Sequence, residues 1–233
     1  MVIDLMQTYE YLPRVVFYAK DANSRYVAGN KAMLEAKMLA DFSDLNGTTD
    51  ADYHPLALAT EYVAEDKRVM KAGKTIANQI WYVMDQHGHP GWFNSTKVPL
   101  RGTNGNVVGL AGVRFPVESP AVQKGRFKKL GPALKALEER HREQISMAEL
   151  AKMVDMSSTH FNRQFAELLG ISPTRLLHAM RLDRSRQLLT TTDWSIGQIA
   201  VEVGYFDQSH FTRRFRQYCG VTPKAYRERF RGK

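Results

Sequence analysis

Two stretches in the C-terminal half of the chain carry the same pattern. One is ELAKMVDMSSTHFNRQFAELLGISP, Glu149 to Pro173, and the other is QIAVEVGYFDQSHFTRRFRQYCGVTP, Gln198 to Pro223. A unit written twice must be a supersecondary element that folds the same way in both places. Ala151 and Val154 align with Ala200 and Val203. His160-Phe161, Phe165, Gly170 and Pro173 align with His210-Phe211, Phe215, Gly220 and Pro223. The second copy is longer by one residue, which falls in the turn.

Each copy parses as helix, tight turn, helix. Ser146 with Glu149, and Ser195 with Gln198, have the spacing of a capping box. Leu150, Ala151 and Val154 give the first short helix an apolar stripe. The turns fall at Asp155-Met156-Ser157 and Gly204-Tyr205-Phe206. Gly204 suits a positive φ, which Asp155 tolerates less readily. Ser158 or Ser157, and Asp207, are candidate caps for the next helix. That helix is expected to bury Phe161, Phe165 and Leu168, and its copy Phe211, Phe215 and Tyr218. Gly170 and Gly220 end these helices. Ser172-Pro173 and Thr222-Pro223 begin new ones, each a cap followed by proline.

This arrangement is a helix-turn-helix, and the outward faces of the second helices carry the chemistry. They present Ser158, Thr159, Asn162, Arg163 and Glu167 in one copy. The other presents Gln208, Ser209, His210, Thr212, Arg213 and Arg216. Arginine donates twice to guanine, asparagine and glutamine pair with adenine, and threonine touches the thymine methyl. Helix N-termini and hydroxyls suit phosphates. Between the copies, Pro173 to Leu189 reads as one amphipathic helix of roughly 26 Å, and Arg181, Arg184 and Arg186 lie on it. Such a connector can hold two reading helices near the ~34 Å spacing of successive major-groove faces.

Charge agrees with this reading. Residues 1–120 hold 12 Lys and Arg against 13 Asp and Glu, whereas residues 121–233 hold 21 against 11. A near-neutral module followed by a basic one suggests a polyanionic partner for the second. The one cysteine, Cys219, rules out an intrachain disulfide and a thiolate zinc cluster. The N-terminus has no basic start followed by an apolar run, and no stretch approaches the ~18 apolar residues of a bilayer span. A reduced, cytoplasmic protein without a membrane partner is expected.

With these residues in view, 132–230 resemble the DNA-binding domain of the AraC/XylS family of bacterial transcription regulators. The densest match is Gly204 to Arg227, GYFDQSHFTRRFRQYCGVTPKAYR. The resemblance implies a seven-helix domain with recognition helices near Ser158–Leu169 and Gln208–Tyr218. It implies DNA contacts by Thr159, Asn162 and Arg163, and by Gln208, Ser209, Thr212 and Arg213, with Ser158 beside them. RNA polymerase is a partner by the same resemblance, which tilts the role towards activation. Asp155 stands where the family more usually has a small residue. His160 and His210 recur beside the buried phenylalanines and are read as local structural groups. Arg214 and Arg227 suit either an ion pair, a helix cap or a phosphate, and Cys219 is read as a small core residue.

Residues 118–131, containing Pro120 and the basic cluster Lys124, Arg126, Lys128 and Lys129, read as a linker. They separate a sensor-like domain, 1–117, from the DNA-binding domain, 132–233. In the first, Val15–Ala19 and Tyr26–Gly29 read as strands and Asn30–Ala40 as a helix. Short helices follow over Thr49–Lys71, broken at Pro55. Ile76–Met84 is strand-like, and Gln86-His87-Gly88-His89-Pro90 turns the chain. Trp92–Pro99 and Val107–Phe115 form a hairpin about the Asn-Gly of Gly102-Thr103-Asn104-Gly105.

This order resembles a PAS domain, through FYAKD (Phe17–Asp21), YVAGNKAM (Tyr26–Met33), Asp66 before a helix, and GNVVGLAGV (Gly105–Val113). The resemblance implies an α+β domain with a five-stranded antiparallel sheet, flanking helices and often a small cavity. Phe17, Met33, Trp81, Tyr82, Phe93 and Val98 are candidates to line such a pocket, or to be plain core. Phe17, Met33, Trp81 and Phe93 are the residues chosen for it. The cofactor is unknown. Residues 1–116 contain no cysteine, which excludes a cysteine-linked flavin. Haem is not expected, because His54, His87 and His89 are the only candidate ligands and sit in turns or before proline. A small-molecule effector is the leading partner, and a purely dimerising domain, giving a homodimer, is the other reading.

The expectation is therefore a sequence-specific regulator of transcription, each helix-turn-helix reading one of two adjacent major-groove segments. An architectural, nonspecific DNA binder is a further reading. The enzyme reading fails on chemistry. An alkyltransferase fused to such a domain needs a reactive cysteine in a separate domain, and no phosphate loop, metal-spaced set or nucleophile–base pair stands out.

Overall fold

The computed structural model describes residues 8–12, 14–84, 90–121 and 127–231. The chain divides into two compact units. One holds the residues up to Trp81 together with Phe93–Val117, and the other holds Tyr82–Trp92 and the chain from Glu118 onward. The basic linker residues Lys124 and Arg126, and residues 86–89 of the expected turn, lie outside the described residues, His87 and His89 among them.

The first unit is built on a five-stranded antiparallel sheet. Its strands are β1 (Val16–Asp21), β2 (Tyr26–Gly29), β3 (Ile76–Met84), β4 (Pro90–Arg101) and β5 (Val107–Val117), in spatial order β2-β1-β5-β4-β3. Helices α1 (Lys31–Lys37), α2 (Phe42–Leu45) and α3 (Leu56–Ala72) and a 3₁₀ turn (Asp50–Asp52) fill the β2–β3 connection. The fully buried Asn30 links sheet to helix. Its Oδ1 accepts from the Phe17 and Met33 backbone N–H, and its amide donates to the carbonyls of Tyr9 and Val15. At Gly112, opposite Tyr18 in the β1–β5 register, a Cβ would lie 2.3 Å from the tyrosine ring. Glycine there is the room Tyr18 needs to lie over the sheet.

Two expectations change here. The stretch after Pro55 is a single 17-residue helix, because proline at its N-terminal boundary starts a helix as readily as it breaks one. Asp66 lies within α3 rather than before a helix. Its position is explained by a buried ionic network. Lys20, 1% exposed on β1, is paired with Asp50 and with Asp66 (2.8 Å). Lys97, on β4, reaches Asp66 at 2.6 Å and Glu65 at 2.8 Å. Tyr26 donates its hydroxyl to Asp50 (2.6 Å). Burial opposes charge on Lys20 and Asp50 alike. Their mutual attraction outweighs it, holding the ammonium above and the carboxyl below their ordinary ranges.

The second unit contains, among the described residues, seven helices: α4 (Gly131–Arg140), α5 (Met147–Lys152), α6 (Ser158–Leu169), α7 (Pro173–Thr191), α8 (Ile196–Glu202), α9 (Gln208–Cys219) and α10 (Pro223–Phe230). The central α7 is buried on several sides and carries Leu176, Leu177, Met180, Leu188 and Leu189 into the interior. Two of its arginines, Arg181 and Arg186, face protein. Arg181, 6% exposed, donates to the carbonyls of His141 (2.6 Å) and Glu143 (2.7 Å) beyond the end of α4. Arg186 pairs with buried Asp183 (3.2 Å) and donates to the Tyr226 hydroxyl.

Asp66 accepts from two buried ammonium groups, so Asp66→Asn is expected to destabilise the first unit by about 3 kcal/mol or more. Urea unfolding followed by tryptophan fluorescence checks this, and a loss below about 1 kcal/mol would show that the network contributes little.

Candidate nucleic-acid interface and an internal cavity

The two helix-turn-helix units superimpose in their bonding as well as in sequence. In the first turn, Asp155 adopts φ 54° and the Met156 N–H donates to the Ala151 carbonyl (3.0 Å). In the second, Gly204 adopts φ 89° and the Tyr205 N–H donates to the Ala200 carbonyl (2.9 Å). Aspartate therefore takes up the left-handed conformation that glycine takes in the copy. Ser157 caps α6 by accepting from the His160 N–H, and Asp207 caps α9 by accepting from the His210 N–H (2.7 Å). The Ser195 capping box closes on both sides, but that of Ser146 closes on one. Glu149, which would complete it, accepts from Arg140 instead (2.9 Å).

With the caps set, phenylalanine burial sets the rotation of each second helix. Phe161 and Phe165 are fully buried on α6, and Phe211 and Phe215 on α9, each pair edge to face at 5.6 Å. The third apolar residue of α6 is Leu169 rather than Leu168, which is half-buried. The opposite faces are solvent-facing. Ser158, Thr159, Asn162 and Arg163 are exposed on α6, as are Gln208, Ser209 and Arg213 on α9, with Thr212 half-buried beside them. Arg163 is held only loosely, 3.9 Å from Glu167 and 3.3 Å from the His160 ring.

His210, read as a local structural group, and Arg227, for which a structural role and a phosphate contact were both open, make contacts within the fold. His210 packs edge-on against Tyr205. Arg227 donates to the carbonyls of Leu189 (3.2 Å) and Trp194 (2.5 Å), tying α10 to the loop before α8. Burial pushes the Cys219 thiol up to about 12. One surface residue escaped the sequence reading. The extra residue of the second copy is Phe206, 91% exposed directly before the α9 cap. The insertion itself was the available signal.

In the first unit a small cavity, about 30 Å³, is bordered by residues including Tyr18, Met33, Trp81, Ser95 and Arg114. Met33 and Trp81 are the expected pocket residues that line it. Phe17 does not border it. Val16, Tyr18 and Lys20 point to the cavity from alternate positions of β1, and Phe17 lies between them, stacked on Tyr9 at 4.9 Å. Phe93 lies beneath the Arg114 guanidinium, 5.0 Å from ring to cation. His54 also borders the cavity, with its Nε2 2.6 Å from the Lys37 ammonium. Among the described residues, no group of three or more His, Cys, Asp or Glu side chains is arranged to hold a metal. No helix among them is long and apolar enough to cross a membrane.

Residues 150–229 match the family described as a helix-turn-helix domain, and residues 10–114 match the PAS fold. The chain joins a PAS domain to an AraC-type helix-turn-helix domain. A helix-turn-helix-type transcriptional regulator of Haemophilus influenzae is 30% identical over 53% of this chain and 43% of its own length. An AraC-type DNA-binding-domain regulator from Chromobacterium violaceum is 33% identical, over 43% of this chain and 90% of that one, with a TM-score of 0.40. A Vibrio cholera VqmA–ligand–DNA complex is 19% identical over 79% and 89%, with a TM-score of 0.48. The chain spans less than half the length of the curated relative from Haemophilus. The Haemophilus and Chromobacterium proteins are both described as transcriptional regulators.

The turns make opposite predictions. A Cβ at Gly204 would lie 2.6 Å from the Arg142 carbonyl oxygen, at a φ that side chains resist. Gly204→Ala is expected to cost about 1–3 kcal/mol. Asp155→Gly relieves the same backbone strain and should change stability by less than about 1 kcal/mol. Thermal unfolding of both variants checks the pair, and equal losses would contradict the assigned turn geometry.

Proposed function

We propose that this chain is a cytoplasmic, sequence-specific regulator of transcription whose α6 and α9 each read one of two neighbouring major-groove segments. The observation that carries the reading is the matched pair of solvent-facing surfaces. Each has a capped N-terminus, short polar side chains and a guanidinium group, fixed in rotation by a buried Phe pair. Ser158, Thr159, Asn162 and Arg163 serve the first segment, and Gln208, Ser209, Thr212 and Arg213 the second. Arg163 and Arg213 suit guanine, Asn162 and Gln208 suit adenine, and the hydroxyls suit phosphates. The 19-residue α7 is ~28 Å long, and its burial makes it a stiff spacer. Phe206 joins the interface, its ring available to a sugar or a thymine methyl.

The PAS domain is the sensor in this reading. Its signal favours one of two states and changes DNA occupancy. Activation through RNA polymerase and action as a homodimer complete the proposal, resting on the family resemblance.

The test begins with selection of a binding site from random duplexes, followed by fluorescence anisotropy. Arg213→Ala should weaken binding to the selected site by about 1–3 kcal/mol and relax preference at one base. Equal weakening on every sequence would instead place Arg213 on phosphate. Affinity should fall steeply with salt, as phosphate contacts release counterions. A selected site no better than random DNA would overturn sequence-specific reading. Phe206→Ala should weaken DNA binding about tenfold or less while leaving thermal stability within about 0.5 kcal/mol. Unchanged affinity would remove that residue from the interface.

A further inference from the structure

We propose that the PAS cavity is built to receive a small organic monocarboxylate, held between Lys37 and Arg114. The inference rests on the sensor reading above and adds the chemical class of the signal. Its basis is an imbalance in the charges that border the cavity. Lys20 and Lys97 are paired with Asp50, Glu65 and Asp66 in the buried network, so that with Lys37 and Arg114 four cations stand against three carboxylates among the described residues. Lys37 and Arg114 border the same space and, among the described residues, neither has a carboxylate partner. The Lys37 ammonium meets the His54 imidazole at 2.6 Å and the Tyr53 ring at 4.7 Å. Arg114 rests on the Phe93 ring, and its buried Nε has no hydrogen-bond partner.

Leaving a buried guanidinium donor unmatched costs free energy, and an ionised acceptor recovers most of it. A guanidinium fork beside one ammonium matches the two oxygens of a carboxylate. The body of the ligand would lie against Met33, Tyr62 and Trp81, whose last two rings stand edge to face at 5.1 Å. The cavity of about 30 Å³ limits that body to few atoms.

The charges facing Lys37 come from several elements: Lys20 on β1, Asp50 in the 3₁₀ turn, His54 before α3, and Arg114 on β5. Burial, with Arg114 assisting, pushes the Lys37 amine down to about 7, and Asp50 opposes this only in part. A bound carboxylate favours the charged amine and raises that value. Above pH 7, binding is therefore accompanied by proton uptake, and affinity falls as pH rises from about 7 towards the higher value in the complex.

Isothermal titration of the full chain tests this with acetate, propionate and benzoate against acetamide, propionamide and benzamide, at fixed ionic strength. At least one carboxylate should bind about tenfold or more tightly than its amide. At pH 8, in buffers of different ionisation enthalpy, it should take up a fraction of a proton. Lys37→Met and Arg114→Gln should each lose about tenfold, and Arg114→Lys should retain part of the affinity. Thermal unfolding of each variant separates a lost site from a lost fold. Equal binding of acid and amide, no binding by any carboxylate, or an equal response to chloride or phosphate overturns the proposal. Carboxylate binding that leaves DNA affinity unchanged would instead keep the site and remove the sensor role. Intact DNA binding with no carboxylate bound would remove the site and leave the regulator.

Discussion

Each helix-turn-helix depends on a pair of phenylalanines four residues apart, sealed beneath the second helix. Phe161 with Phe165, and Phe211 with Phe215, have no exposed surface. An α-helix has one rotational freedom about its axis, and burying two large rings on one side removes it. Everything presented to solvent then follows from sequence spacing. Thr159, Asn162 and Arg163 face outward because Phe161 and Phe165 face inward, and Thr212 and Arg213 follow the same rule around Phe211 and Phe215. The caps at Ser157 and Asp207 fix where along the axis that surface begins. Their own N–H partners leave the helix N-termini well formed for an anionic ligand.

The central helix shows why charge counts alone mislead. Arg181 and Arg186 add to the basic composition of this half, yet neither is free to meet a polyanion. Arg181 is committed to two backbone carbonyls, and Arg186 to Asp183 and Tyr226. Arg227 is likewise committed to two carbonyls, those of Leu189 and Trp194. A guanidinium with five donors can satisfy several orphaned carbonyls at once. This is an effective way to join α4, α7 and α10 into one body. The basic residues left on the surface of α9 are Arg213, Arg214 and Arg216, and the proposed interface draws on these. The excess of positive charge thus divides into a part committed inside the fold and a part left on the surface, and hydrogen-bond partners distinguish them.

Much of this was legible in the sequence because it is local. Caps, turns and apolar spacing act within about four residues, and the repeat displayed each of them twice. The pattern Gly204-Tyr205-Phe206-Asp207 against Asp155-Met156-Ser157 even marked the inserted residue. Where the reading slipped, longer-range contacts decided. Leu169 displaced Leu168 because the interior lies one residue further round the helix. Glu149 left its capping box for Arg140. Asp66 sits in the middle of α3 rather than before a helix, and its partners Lys20 and Lys97 come from strands far away in sequence. Val16, Tyr18 and Lys20 border the cavity from one face of β1, whereas Phe17, chosen for the pocket, lies between them and stacks on Tyr9.

That last error follows from a common assumption, that a cavity is lined by apolar side chains. Here the near-neutral charge of the first 120 residues conceals several ionised groups gathered around one small space. Lysines on β1 and β4 enter the interior because acidic residues from the 3₁₀ turn and α3 meet them there, and the matched pairs make the desolvation tolerable. Once that network exists, the remaining cations, Lys37 and Arg114, lie in surroundings already organised to hold charge, and mutual repulsion keeps them from being satisfied by each other. A core assembled only from apolar residues would bind an apolar molecule by shape. A cavity bordered by Lys37 and Arg114 favours an anion, because a neutral molecule without a strong acceptor leaves the Arg114 Nε donor unmet.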